Sequence, residues 1–277
     1  MAIFHLSIRR VSRARGQSSV AASAYRTGTV LLDERTGLTH DFRKKRGVLF
    51  SNLILPEGAP DWNRFELWNQ IEAAEKRVNS CPARDCVAAL PFECSLSEQM
   101  HLADEMGQWI SGRHRVAVDW AMHRPVSESD NRNIHVHFLF SGRRLSPNGV
   151  AEKSRELDSQ TEGPLEIRAW RQKWAVLVNE ALSRQFIELR VDHRSHFERG
   201  IFDIPTIKEG RGPSAFLKKK KNEECRIINS KLRDLNLSQL QDKSHMDERI
   251  MEEMYVSEPP FEIEYKYLSS LRNRSGF

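Results

Sequence analysis

The stretch His135-Val136-His137-Phe138-Leu139-Phe140 decides how this chain is read. An apolar run with histidine at every second place predicts a β-strand. Side chains alternate across a strand, so His135 and His137 share one face and Val136, Phe138 and Phe140 the other. Upstream, Val116-Ala117-Val118-Asp119-Trp120-Ala121-Met122-His123 also reads as a strand. The polar segment between them, Arg124 to Arg132, has the turn residues of a hairpin loop. Such a hairpin sets His123 across from the histidine pair. Three imidazoles converging from adjacent strands, with open positions left, suit a divalent catalytic metal. One histidine on a strand is ordinarily a half-exposed polar residue; two on one face with a third at hairpin distance favour ligation. Structural zinc fits less well. It usually recruits four ligands, and Cys81, Cys86, Cys94 and Cys225 lack CxxC spacing. They read as reduced thiols of a cytoplasmic protein.

A second feature is Tyr25. The other tyrosines, Tyr255, Tyr265 and Tyr267, lie near the C-terminus. Tyr25 sits in the alanine- and serine-rich stretch Gly16 to Gly28, which predicts a short helix closed by Gly28. Alone, this tyrosine would be expected to lay its ring on the sheet. In a chain with a metal site, and next to Arg26, it is a candidate covalent nucleophile.

Several of these elements resemble one family. The opening Met1-Ala2-Ile3-Phe4-His5-Leu6-Ser7, the element Ala24-Tyr25-Arg26-Thr27-Gly28 and the His-apolar-His strand are similar to the MobA/MobL family of plasmid mobilisation relaxases, within the HUH endonuclease superfamily. Leu55 to Pro60, Trp68 to Arg77, Ala89-Leu90-Pro91, Trp170 to Asn179 and Arg190 to Arg194 fit the same pattern. The resemblance covers about residues 1–205 and fades after about residue 212.

Composition agrees. The chain has 277 residues, 39% of them hydrophobic, enough for one large domain over 1–205 and a helical extension over 206–277. No apolar run is long enough for a membrane span, and the arginines after the first strand are in the wrong order for a secretory signal. A net charge of +5 suits a polyanionic partner without identifying one.

Coarse patterning predicts an α+β order: a two-layer sandwich, a largely antiparallel sheet with helices on one face and the histidines on the other. Strands are expected over Ala2–Arg9, Val48–Leu55 and Asp85–Leu90, with a hairpin or extended excursion over Val30–Asp41. Asp61 is expected to cap a helix to about Arg77, Ser95 or Ser97 to start one to about Ser111, and a further helix to run from Leu165 to Phe186. Glu72 and Glu75 read as part of a solvated face, and His40, His101, His114 and His245 as surface residues. His5 alternates onto the side of the histidine pair, while His193 and His196 read as capping or packing residues.

The resemblance implies the chemistry. His123, His135 and His137 would hold Mn²⁺ or Mg²⁺ against a phosphodiester of single-stranded DNA at a transfer origin. Tyr25 would attack phosphorus, leaving a 5′-phosphotyrosine and a free 3′-hydroxyl. Asp85 matches an acidic family position and would orient a histidine. Some relatives carry a second acidic residue two places on, where this chain has Val87, so the general base stays open. Arg43, Lys44, Lys45 and Arg46 form the best cluster for phosphate contacts, followed by Arg9, Arg10, Arg143 and Arg144. Lys218 to Lys221 precede a helical stretch suited to DNA or a partner protein. A type IV secretion coupling protein and accessory relaxosome proteins are the partners the resemblance implies. A rolling-circle initiator of the same superfamily and a non-catalytic DNA-binding protein are the competing readings. Intact Tyr25 and histidines disfavour the latter, and the breadth of the family-like stretches favours the relaxase. No GxxxxGK[ST] loop is present to suggest a helicase.

Overall fold

The computed structural model describes residues 4–125, 132–201, 203–207, 209 and 212–234. The chain divides into two compact units, Met1–His193 and Arg194–Phe277. The boundary expected after residue 205 falls inside the second of these.

The first unit is built on one antiparallel sheet. Its strands are β1 (Leu6–Val11), β4 (Val48–Ile54), β5 (Ala83–Ala89), β6 (Val118–His123) and β7 (His135–Ser141), in the order β1-β5-β7-β6-β4. Between β1 and β4 come α1 (Ser19–Thr27) and the hairpin of β2 (Val30–Asp33) with β3 (Leu38–Asp41). The remaining elements are α2 (Arg64–Ala74), α3 (Leu96–His114), the hairpin of β8 (Arg143–Ser146) with β9 (Gly149–Lys153), and α4 (Glu162–Arg184). The α+β sheet of the sequence reading is present, with α3 and α4 on the face opposite the histidines.

That face is an extensive apolar core. Val136, Phe138 and Phe140 of β7 join Trp120 and Met122 of β6 against Leu102, Met106 and Ile110 of α3 and Trp170 and Trp174 of α4. Phe138 meets Trp174 edge-on with ring centroids 6.1 Å apart, and Phe140 lies 5.1 Å from Trp170. Gly107 allows α3 to approach closely: an added Cβ would lie 2.7 Å from Ile54 Cδ1.

The histidine face has a cover of its own over half its length. Val20 of α1 and Leu67, Trp68 and Ile71 of α2 pack on Val11, Ala83, Ala117 and Leu139. Among the described residues, the other end of this face, with the histidines, carries no such apolar cluster. Thus Leu139 and His137, two residues apart on β7, mark the step from sealed core to site.

Local signals explain the helix ends. In α1, Ser18 accepts from the Ala21 N–H, and Gly28 closes the helix at φ 65°, where a side chain is strained and a Cβ would sit 3.3 Å from Val48 Cγ2. The second helix starts later than expected. Asn63, not Asp61, caps it, because Asn63 and Glu66 form a reciprocal capping box; it ends at Ala74 rather than near Arg77. Ser95 caps α3 by accepting from the Glu98 N–H.

In the second unit, α5 (Ala215–Asp234) carries Lys218 to Lys221. Asn222 brackets the backbone N–H and carbonyl of Ile207, and Asn229 does the same for Ile204. The later leucines of the expected helical stretch, His245, Pro259-Pro260 and the three C-terminal tyrosines lie outside the described residues.

Candidate active site

Register brings the histidines together. His123 on β6 pairs directly with His135 on β7, and Ala121 pairs with His137, so all three rings rise from one face. One nitrogen from each lies within 4.8 Å of the others. Their ring centroids are 4.9–5.6 Å apart.

The hydrogen bonds assign the tautomers. His123 Nε2 lies 2.6 Å from the Arg26 carbonyl, and His135 Nδ1 lies 3.0 Å from the Asn133 carbonyl. A carbonyl only accepts, so each of these nitrogens donates. His137 Nδ1 lies 3.1 Å from the Asp85 carboxylate and donates there. When neutral, each ring would carry its lone pair on the other nitrogen: Nδ1 of His123, Nε2 of His135 and His137. Burial, reinforced by Lys45 and the two other histidines, pushes His123 down to about 4 against the opposing pull of the Arg26 carbonyl. A neutral imidazole is the form a metal requires. Three imidazoles with one N–H each directed at a protein acceptor fit a divalent ion with positions left for substrate oxygens.

Asp85 stands behind this set. Its side chain faces the histidine side of β5, opposite Leu139 of β7. Burial alone would raise its carboxyl, but hydrogen bonds from His137 and from Arg26, 2.8 Å away, hold it well below the usual carboxylate range. Ionised, it fixes the His137 ring and the Arg26 guanidinium together.

Tyr25 belongs to the same assembly through the end of its helix. The last turn of an α-helix leaves carbonyls without intrahelical partners. In α1, the Ala24 carbonyl accepts from Gly28 and Thr29, the Tyr25 carbonyl from Lys45 Nζ at 2.8 Å, and the Arg26 carbonyl from His123. Tyr25 itself is 50% exposed, its ring against the edge of Phe42 with centroids 5.2 Å apart.

Two buried carboxylates hold α1 in place, and the sequence reading missed both. Glu72, 1% exposed, accepts from the Ser19 N–H and hydroxyl, each at 2.7 Å, and pairs with Arg13. Asp119, 1% exposed, accepts from Ser23 at 2.6 Å, from Trp68 and from Arg64. The expectation of a solvated face at Glu72 and Glu75 is therefore corrected: Glu75 is also buried, on Arg143 and Lys153. Their cationic partners stand far away in sequence, so the helix pattern could not show them. Asp119 did carry a signal, a single acid inside the apolar run Val116 to Met122. His114 is corrected likewise. It is buried under Trp170, whose Nε1 lies 3.1 Å from its Nε2.

The basic candidates separate. Arg43 is exposed and pairs with Asp41, Lys44 and Arg46 are exposed, and Lys45 turns inward. Arg10 pairs with Asp158, Arg143 with Glu75, and Arg144 with Glu156. His5 is exposed, with Nε2 3.3 Å from Ser7 Oγ, and the metal-competent group among the described residues is the triad. His193 and His196 are half-buried, the latter bonded to the Asp203 carbonyl.

Comparison with known proteins gives a consistent result. The MobA/MobL family model matches residues 17–221. "Mobilization protein MobL" of Acidithiobacillus ferridurans is 36% identical over 255 residues, covering 82% of this chain and 66% of that protein. "Conjugal transfer protein TraA" of Rhizobium radiobacter is 30% identical over 281 residues, covering 91% of this chain and 25% of that protein. This chain thus spans just under two thirds of the first relative's length and a quarter of the second's. A solved structure described as "Molecular Basis of Vancomycin Resistance Transfer in Staphylococcus aureus" superposes with a TM-score of 0.62 at 28% identity, over 70% of this chain and 100% of that one.

Proposed function

The chain belongs to the MobA/MobL family, and from that premise we propose that it is a plasmid mobilisation relaxase that nicks one strand at the nic site of a transfer origin and later rejoins it. The observation that carries this reading is the end of α1. The residue after Tyr25 places its carbonyl on His123 and its guanidinium on Asp85. The one half-exposed tyrosine among the described residues is therefore mounted on the cluster that can hold a metal.

In this reaction the Tyr25 oxygen attacks phosphorus in line. The tyrosyl O–P bond forms, the P–O3′ bond breaks, and the leaving oxygen ends as a 3′-hydroxyl. Bond energy is kept in the 5′-phosphotyrosine, so the strand can be resealed by the reverse step. His123, His135 and His137 would hold the cation, and Asp85 would keep His137 oriented. When bound, a divalent ion there neutralises charge at the phosphate and orients it. An all-imidazole set suits Mn²⁺ better than Mg²⁺, which prefers oxygen ligands. Lys44, Arg46 and Arg43, all exposed, would meet backbone phosphates. A coupling protein and accessory relaxosome proteins, met in the cytoplasm, complete the reading. Among the described residues no helix is long and apolar enough to cross a membrane.

The test uses single-stranded oligonucleotides tiling the plasmid's transfer region, labelled on the 3′ side of the break. With Mn²⁺, the label is expected to stay on the protein through denaturing electrophoresis. EDTA or Tyr25→Phe should abolish it. An adduct that survives Tyr25→Phe and maps to Tyr255, Tyr265 or Tyr267 overturns the assignment. Two free fragments would instead indicate hydrolysis by water.

A further inference from the structure

We propose that Lys45 is a positioning residue that fixes the Tyr25 ring, and is not one of the phosphate contacts of the basic cluster in which it lies. This rests on the reading of Tyr25 as the nucleophile. Along the chain, Arg43, Lys44, Lys45 and Arg46 look equivalent. In space Lys45 alone is withdrawn from solvent, while its three neighbours are exposed.

Two contacts define its place. Lys45 Nζ donates to the Tyr25 carbonyl at 2.8 Å, and the same ammonium lies 3.8 Å from the centroid of the Tyr25 ring. The first contact satisfies an orphan carbonyl at the negative end of α1. The second is a cation–π contact at close range. Phe42 adds an edge-on contact to the same ring. The backbone fixes both partners. Lys45 N–H donates to the Phe42 carbonyl at 2.8 Å, and Phe42 N–H donates to the Thr29 carbonyl at 3.0 Å, just beyond the end of α1. The turn carrying the clamp is thus bonded to the helix that carries the nucleophile.

In-line attack needs the oxygen held within a narrow range of positions, and loss of that orientation costs rate without costing affinity. Burial, with the Arg26 guanidinium second and Asp85 opposing, draws Lys45 down to about 8. Partial desolvation strengthens both the hydrogen bond and the ring contact. An ammonium held on the Tyr25 carbonyl and ring neutralises no phosphate, and so releases no counterion from DNA.

The experiment compares full chains of wild type, Lys45→Met, Lys45→Arg, Lys44→Met and Tyr25→Phe on the oligonucleotide that wild type cleaves. Two quantities are read: the adduct-forming rate at saturating DNA, and DNA affinity across a salt series. Lys45→Met is expected to slow the rate about tenfold, the scale of a partly desolvated cation–π contact. Its affinity and salt slope should match wild type. Lys45→Arg should recover most of the rate, because a guanidinium can stack on the ring and reach the carbonyl. Lys44→Met should lower the salt slope by about one unit. Wild-type rate in Lys45→Met, or a salt slope reduced as in Lys44→Met with the rate intact, overturns the proposal. If Lys45→Met fails to fold, Lys45→Gln takes the same measurements. An adduct that persists in Tyr25→Phe sinks the nucleophile reading itself, and so separates the two failures.

Discussion

The two faces of the central sheet are made from alternate residues of the same strands, yet different forces hold them. On the α3/α4 face, Phe138, Phe140, Trp120, Trp170 and Trp174 form a continuous apolar core. On the α1/α2 face a smaller core ends at Leu139, and beyond it ionised and hydrogen-bonded groups take over. Glu72 and Asp119 grip α1, while Asp85, Arg26 and His123 grip its end. Apolar packing is non-directional and scales with area. Hydrogen bonds to buried carboxylates are directional, and they fix where a helix sits along and about its axis. The large core supplies stability. The polar face supplies aim.

This contrast can be broken most easily at Trp174. It is fully buried against Phe138, so Trp174→Ala should cost about 3–5 kcal/mol by loss of contact and an unfilled cavity. Urea unfolding measures it, and a cost below about 1 kcal/mol would show that this face is not the main store of stability. Next in size is Glu72→Gln. It leaves Arg13 buried against an uncharged amide and weakens the hold on Ser19, at a cost of about 2 kcal/mol. Unlike Trp174→Ala, it should also slow adduct formation when measured well below the melting transition, because α1 carries Tyr25. Equal rates would dissolve the distinction between the faces.

The smallest effect sharpens the contrast through pH. His114, on the apolar side, is held below its ordinary 6.5 by burial, with Glu166 pulling the other way. The folded chain then binds fewer protons at this site than the unfolded chain, so stability rises with pH here and falls on acidification below about 6.5. His114→Gln should lose less urea resistance than wild type between about pH 7 and pH 5.5. Identical losses would mean that the imidazole is accommodated in either form.

What the sequence disclosed follows the same division. The histidine hairpin, the short helix ending at Gly28 and the tryptophans of α4 announce themselves by local period and spacing, and the structure has them where expected. The groups that grip α1 do not. Glu72 meets Ser19 across 53 residues, and Asp119 meets Ser23 across 96. Within its own helix Glu72 belongs to a run of mixed charge, which ordinarily faces water. Lys45 was hidden differently. Its neighbours share its charge, and only the turn from Phe42 sends it inward while they stay out. A pattern on one element reports which face is apolar; it cannot report what a polar residue reaches once the chain has closed.

The capping of α1 has a consequence for how the chain folds. Nine residues are too few for a helix to persist alone in water. Its final turn is finished by a lysine 20 positions on and by a histidine 97 positions on, which arrives only with the sheet. Contacts so distant in sequence form late, after the loop between them has closed. A nascent or half-folded chain therefore carries its tyrosine on a fraying end, with nothing to aim it. The end of α1 is set in place only by completion of the fold itself.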